Sequence, residues 1–235
     1  MKSYPALSAY SLLKIEPMTS VGLVWITPGA ENVISYCARV SNPQNQDNYD
    51  TAPGLLKYCI KNRHWSIFEM ANMCLEINTT RAISAQVIRH RSFSFQEMST
   101  RYQDVSVLGG SVMPHLRRQD NKNRQNSIDD LDTESVQGYY RRISTLFEEA
   151  EHLYKEMVSD GVAKECARNI LPLATPTRLY MNGSIRSWIT YIALREKHGT
   201  QREHMMIAKD AKKLFCAQMP IIADALGGEA ADWEI

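Results

Sequence analysis

Within fifteen residues the stretch IRHRSFSFQEMSTRY (88–102) groups Arg89, His90, Arg91 and Arg101 with three serines, a threonine, an amide and a single carboxylate, Glu97. A guanidinium is a rigid fork of donors that suits a phosphate or a carbonyl-rich ring. Hydroxyls add neutral donors, and a carboxylate accepts from a ribose hydroxyl or a ring N–H. Together these groups suit a nucleotide. The plainer alternative is that Arg89 and Arg101 pair with Glu97 while Phe93 and Phe95 join the core. The density of hydroxyls favours the nucleotide, because ion pairing alone leaves them without a task. Core packing is expected of both phenylalanines in either case.

The usual phosphate cradles are missing: there is no G-x-G-x-x-G and no G-x-x-x-x-G-K-[ST], and Gly109 and Gly110 follow no strand. Phosphate must then be bound by side chains. Neither H-E-x-x-H nor a G-x-S-x-G elbow occurs. The five cysteines, Cys37, Cys59, Cys74, Cys166 and Cys216, show no C-x-x-C spacing and no activating neighbour. No metal site, disulfide framework or covalent nucleophile is expected, and a reducing, cytoplasmic setting fits best. Polar groups recur in three other apolar settings. RHWSIFE brings His64, Ser66 and Glu69 together ahead of a strand, and Arg168 precedes NILPL. Arg186 and Arg195 are nine residues apart on an expected helix, about 13–14 Å along its axis, a span suited to a ligand.

The elements that must position these residues follow from periodicity. With 235 residues, 44% of them hydrophobic, the chain can bury a core as one domain over 1–235. VGLVWIT (21–27) reads as a buried strand, ENVISYCARV (31–40) and PGLLKYCIKNR (53–63) as helices, and ANMCLEIN (71–78) as a strand on the alternation of Met73, Leu75 and Ile77. Thr79 or Thr80 is expected to cap a helix over RAISAQVIRH, with Ile83, Val87 and Ile88 on its apolar face and Gln86, Arg89 and His90 at its carboxyl end. A polar stretch, 103–134, reads as a flexible loop. Val136, Tyr140, Ile143, Phe147, Ala150, Tyr154 and Met157 then define a helix closed by Gly161, placed in the core or at a subunit interface. A short helix, a break at Pro172, a strand, a helix over 184–196 and a last helix over 202–219 complete the chain. Without a regular βαβ alternation the class is α+β, with a mixed sheet packed against several helices. The amino terminus has no signal-peptide core, and no apolar run approaches membrane-spanning length.

RHRSFSFQEMSTR (89–101) fits R-H-R-x-x-S-x-x-x-x-S-x-R, and through it the chain resembles the flavin-dependent thymidylate synthases. HWSIFE resembles that family's upstream H-x-[ST]-P-F-E segment, ARNILPL its A-R-x-x-L-P-L, and RSWITYIALREKHGTQREH its closing R-S-x-x-x-x-x-x-L-R-x-x-x-x-A-Q-x-E helix, so the resemblance covers roughly residues 30–220 in the right order. It implies conversion of dUMP to dTMP with methylenetetrahydrofolate, NADPH and FAD, without a cysteine nucleophile, in a homotetramer whose active sites combine several subunits. Gln86, Arg89, Glu97, Met98, Ser99, Thr100, Arg101 and Arg168 are the implied dUMP contacts. Ser66, Arg89, His90, Arg91, Glu97, Ser184, Ile185, Arg186 and Thr190 are the implied FAD contacts. Arg195 is the implied catalytic group, also on dUMP, polarising the uracil N3 region. The chain departs from the pattern at Ile67, Met70 and Gln96, at Ser184 and Thr190, where asparagine is common, and at Thr200.

Two other readings use the same residues. A nucleic-acid module would employ Arg89, Arg91 and Arg101 with Phe93, Phe95 and Tyr102 as stacking partners. Against it stand 27 Lys and Arg balanced by 26 Asp and Glu, so no nucleic-acid partner is expected. A flavoprotein of the same fold without the synthase activity is the other.

Overall fold

A computed structural model describes residues 19–235; the amino-terminal segment read above for a signal peptide lies outside them. The first strand, β1 (Ser20–Ile26), turns Val21, Leu23 and Ile26 toward the core but leaves Trp25 44% exposed. The buried strand expected here is an edge strand among the described residues, where it pairs only with β2 (Asn72–Thr80), and a bulge between Leu23 and Trp25 interrupts its alternation. Both expected helices follow, α1 (Ala30–Ala38) and α2 (Ala52–Lys61), burying Ile34 from the first and Leu56 and Cys59 from the second. Between them the buried Arg39 donates to Asn48 O and to Thr51 Oγ1, at 2.7 Å for the latter, which fixes the connecting loop.

Met73, Leu75 and Ile77 are all wholly buried, as their alternation requires, and β2 is a central strand. Its other neighbour is β6 (Pro176–Ser184), and β3 (Ser94–Glu97) completes the order β1-β2-β6-β3. The α+β class holds, but the pairing is antiparallel throughout rather than mixed. Because β6 lies between them, β2 and β3 run in the same direction, and the chain from one to the other crosses over by way of the helix that follows β2.

Helix α3 (Arg81–Val87) starts directly after β2 with Thr80 at its cap position. Neither Thr79 nor Thr80 caps it through its side chain; the first amides, of Arg81 and Ala82, donate instead to Thr175 O and Leu173 O, both at 3.0 Å. The segment entering β6 therefore satisfies the orphan donors of α3. Ile83 and Val87 are buried, whereas Ile88 lies past the last turn and is exposed, contrary to the expected apolar face. Segment 103–134 contains a 3-10 turn, Val105–Leu108, and a hairpin of β4 (Arg118–Gln119) and β5 (Ser127–Ile128).

Asp132 caps α4 (Thr133–Ser159) by accepting from Ser135 N at 2.8 Å, and Gly161 follows its end at φ 87°. Only Tyr154 of its apolar stripe is buried, in a small cluster with Val105 and Ala167 outside the main core. Ala167 belongs to α5 (Lys164–Ala167). After β6 come α6 (Ile185–Arg195), α7 (Arg202–Gln218) and α8 (Pro220–Ala225), the last opened by the proline that ends α7 and not expected from the sequence. Ile185, Trp188, Ile189 and Ile192 of α6 are buried on the sheet, and Trp188 Nε1 donates to Met73 O at 2.8 Å. No helix among the described residues is long and apolar enough to cross a membrane.

The 88–93 turn approaches the sheet closely at Gly183, where an added Cβ would lie 2.5 Å from Phe93 Cδ1. Phe93 is itself wedged against Trp188 and Tyr191, at 4.8 and 5.8 Å between ring centroids. Gly183→Ala is expected to destabilise the protein by about 1–3 kcal/mol, the usual range for overpacking, measured as a lower midpoint in urea unfolding.

Candidate active site

The signature stretch is shaped by two anchors. After α3 the chain makes tight turns, with Arg89 N donating to Gln86 O, His90 N to Val87 O and Phe93 N to His90 O, and Phe93 then plugs into the core. Pairing of Ser94–Glu97 with Asn182–Leu179 carries it on as β3, with Met98 N extending the ladder to Arg178 O at 2.9 Å. Arg89 and Arg91 stand exposed on the turn, with no side-chain partner among the described residues. Core packing is what Phe93 does, and Phe95 packs partly buried beside it.

Glu97 Oε1 accepts from Ser84 Oγ at 2.6 Å and from Thr177 Oγ1 at 2.9 Å, with Arg81 Nη1 at 3.9 Å. Neither Arg89 nor Arg101 is its partner, so the plain ion-pair alternative does not describe this stretch. Arg101 pairs with Glu165 at 2.9 Å, and Arg168 Nη1 donates to the buried Thr100 Oγ1 at 3.1 Å. The fold thus gathers Thr100, Arg101 and Arg168 in one place and adds an acid to it. Ser99 is exposed beside them, and Gln86 Nε2 donates to Gln201 Oε1 at 2.6 Å.

From the last turn of α6, Arg195 Nε donates to His90 Nε2 at 2.9 Å. That nitrogen of His90 must be the acceptor, so its neutral ring carries the proton on Nδ1. Burial, and then the adjacent Arg195 guanidinium, hold His90 down to about 4. The terminal nitrogens of Arg195 have no partner among the described residues. Behind this pair, Tyr191 lies edge-on to His90 with 4.9 Å between centroids, and its hydroxyl meets His204 Nε2 at 3.1 Å. His204 is also held down to about 4, by burial first and then by Arg195 and His90; burial pushes the Tyr191 phenol up.

At the start of α6, Ser184 Oγ accepts from Ser187 N at 3.2 Å as the helix cap, while Ser187 Oγ reaches Ser92 O at 3.1 Å. Ile185 is wholly buried, and Thr190 Oγ1 donates to Arg186 O. Arg186 pairs with Glu69 at 3.1 Å, which brings it to the 3-10 turn Trp65–Glu69 that carries the exposed Ser66. Ser84, Thr177, Tyr191 and His204 were not anticipated. Nothing in local spacing marks them, because each meets its partner through strand register or helix packing. A cavity of about 300 Å³, lined by Thr79, Thr80, Met113, His115 and Gln201, adjoins the candidate site through the bond of Gln201 with Gln86.

The family model for the thymidylate synthase complementing protein matches residues 22–221. A probable flavin-dependent thymidylate synthase of Paramecium bursaria Chlorella virus 1 is 52% identical over 205 residues, covering 87% of this chain and 91% of the relative. The chain belongs to the flavin-dependent thymidylate synthase family. The flavin-dependent thymidylate synthase of Synechocystis is likewise 52% identical, covering 83% of this chain and 89% of the relative. Among solved structures, the UMP/dUMP methylase PolB of Streptomyces cacaoi bound with 5-Br UMP aligns at a TM-score of 0.79 and 26% identity, over 91% of this chain and 96% of that one.

For a flavin-dependent thymidylate synthase the donor set fits an anionic dinucleotide at Arg89 and Arg91, whose charges are exposed and unpaired among the described residues. It fits less well at Ser184 and Thr190, whose hydroxyls are already committed to their own helix.

The two imidazoles carry a pH dependence. In the unfolded chain each takes up a proton near 6.5, and in the folded chain only near 4. The unfolded state therefore binds more protons between these values, and the stability they contribute is full above about 6.5 and lost as pH falls toward 4. NMR titration is expected to show His90 and His204 neutral at pH 5.5, a value about midway in that window; Arg195→Met should move the His90 titration upward.

Proposed function

We propose that this member of the family converts dUMP to dTMP by reductive methylation, with 5,10-methylenetetrahydrofolate as carbon donor, NADPH as reductant and FAD as hydride carrier. The observation that carries the reading is the tethering of Arg195 through Nε to a neutral His90, which leaves the cationic fork for a ligand. Set against the uracil N3 edge, that fork stabilises negative charge on the ring. C5 then becomes nucleophilic toward the folate-derived carbon and afterwards gives up its proton. FAD, when bound, supplies the hydride that completes the methyl group.

Binding falls to the surrounding residues. Ser99, Thr100, Arg101 and Arg168 hold the dUMP phosphate, with Arg101 leaving Glu165 to do so. That pair is 65% and 52% exposed on its two sides, and such pairs contribute only about 0.2–1 kcal/mol. Gln86, Arg89 and Met98 complete the nucleotide site. Glu97, fixed by Ser84 and Thr177, faces both ligands. Arg89, His90, Arg91 and Arg186 bind FAD with Ser66; Ser184, Ile185 and Thr190 contribute through backbone and shape. The reaction so read uses no cysteine on the ring, and burial pushes the thiols of Cys59, Cys74 and Cys216 up, the reverse of what a nucleophile needs.

The same reading makes the chain one catalytic domain of a cytoplasmic homotetramer with shared active sites. The exposed Val24 and Trp25 of the edge strand and the partly covered stripe of α4 offer surfaces for such contacts. Nearly balanced charge supports the absence of a nucleic-acid partner.

With FAD, NADPH and methylenetetrahydrofolate, the protein is expected to release tritium from [5-³H]dUMP, and Arg195→Ala to lose about 100-fold or more in kcat, as for other charge-stabilising donors. No release by the wild type overturns the reaction; undiminished release by the variant overturns only the part given to Arg195.

A further inference from the structure

The residue after Arg195 is Glu196, and it is buried with Lys212 of α7: both side chains are 4% exposed. Lys212 Nζ donates to Glu196 Oε1 at 3.0 Å and Oε2 at 2.8 Å, and also to Ala231 O. Trp233 covers the pair. Its backbone N donates to the same Glu196 Oε1 at 3.2 Å, its Nε1 to Gly228 O at 2.9 Å, and the Lys212 ammonium lies 4.9 Å from its ring centroid. The Trp233 ring is wholly buried and meets Phe215 at 5.2 Å and 69°.

Such a pair is a poor source of stability, since the desolvation of two charges offsets most of their attraction, and apolar side chains of similar volume would join α6 to α7 as well. Apolar contacts are non-directional, however, whereas this network dictates where the Glu196 carboxylate sits and in what orientation. Glu196 N donates to Ile192 O at 3.0 Å, so the carboxylate is fixed on the final turn of α6, the turn from which Arg195 reaches His90. Misplacing a catalytic group by about 1 Å can cost about 100-fold in rate, so directional anchoring there has a use that stability does not explain.

We propose that Glu196, Lys212 and the strap 228–233 closed by Trp233 are positioning residues for Arg195, holding the last turn of α6 so that its guanidinium stays in register with His90. The inference rests on the catalytic part given to Arg195, but its test has a readout independent of turnover.

In the full-length ¹⁵N-labelled protein, the Arg195 Nε–H resonance, assigned by its loss in Arg195→Lys, is expected to be slow to exchange with solvent. Two variants loosen the anchor: Trp233→Ala, and the paired Glu196→Leu with Lys212→Met, which keeps an apolar contact between the helices. Each is expected to speed Nε–H exchange about tenfold or more and to lower kcat per folded molecule about 10- to 100-fold, with the KM for dUMP within about twofold. Trp233→Phe, which loses the Nε1 bond to Gly228 but keeps an aromatic face over Lys212 and against Phe215, should stay closer to wild type than Trp233→Ala in both. A folded paired variant with wild-type Nε–H exchange overturns the proposal, as does loss of activity that merely follows the folded fraction. If Trp233→Ala fails to fold, the paired variant decides alone. If Arg195→Ala releases tritium normally, the catalytic reading fails, while Nε–H exchange still decides whether the strap positions Arg195.

Discussion

Antiparallel pairing of β2 with β6, from Asn72 opposite Ser184 to Thr80 opposite Pro176, sets the scale of the molecule. Helix α3 leaves the Thr80 end and α6 leaves the Ser184 end, so the two start from opposite ends of this strand pair. Both bury apolar side chains in the core that includes Met73, Leu75, Leu179 and Met181. The end of α6 and the turn that follows α3 meet in the bond between Arg195 and His90. A slip in the β2–β6 register would flip the apolar residues of one strand away from the core and separate that pair as well.

The turn between α3 and β3 gains its shape from the same sheet. Phe93 fills the space that Gly183 leaves open, and Ser187 at the start of α6 donates to Ser92 O. Between the end of α3 and these fixed points Arg89 and Arg91 are carried outward while His90 is turned inward. Three successive residues thus meet different surroundings: two cations remain exposed, and the imidazole is kept neutral by burial beside a guanidinium.

What the sequence made legible was whatever repeats along the chain or is chemically dense. Met73, Leu75 and Ile77 announced a strand by alternation, α6 and α7 were bounded by their patterns and by Pro220, and the arginines and hydroxyls of 89–101 marked the candidate site by concentration. Long-range satisfaction was not legible. The amides opening α3 are met by Thr175 and Leu173 rather than by a threonine side chain, Glu97 is held by hydroxyls from two other elements, and Arg101 finds Glu165 across 64 positions. The edge character of β1 was hidden for the same reason, since a run of apolar residues does not say how many neighbours a strand has. Segment 103–134, too polar for any periodicity, is joined to the rest of the fold by ion pairs such as Arg117 with Glu203 and Asp129 with Arg202.

The Arg101–Glu165 pair would give the proposed nucleotide end of the site an unusual electrostatic behaviour. A phosphate that takes Arg101 displaces a tethered carboxylate instead of loose ions from solution, so one anion is exchanged for another and few free counterions are set loose. Affinity contributed through this arginine would then vary only shallowly with ionic strength. The guanidinium would also be kept from capturing stray anions while the site waits for its nucleotide.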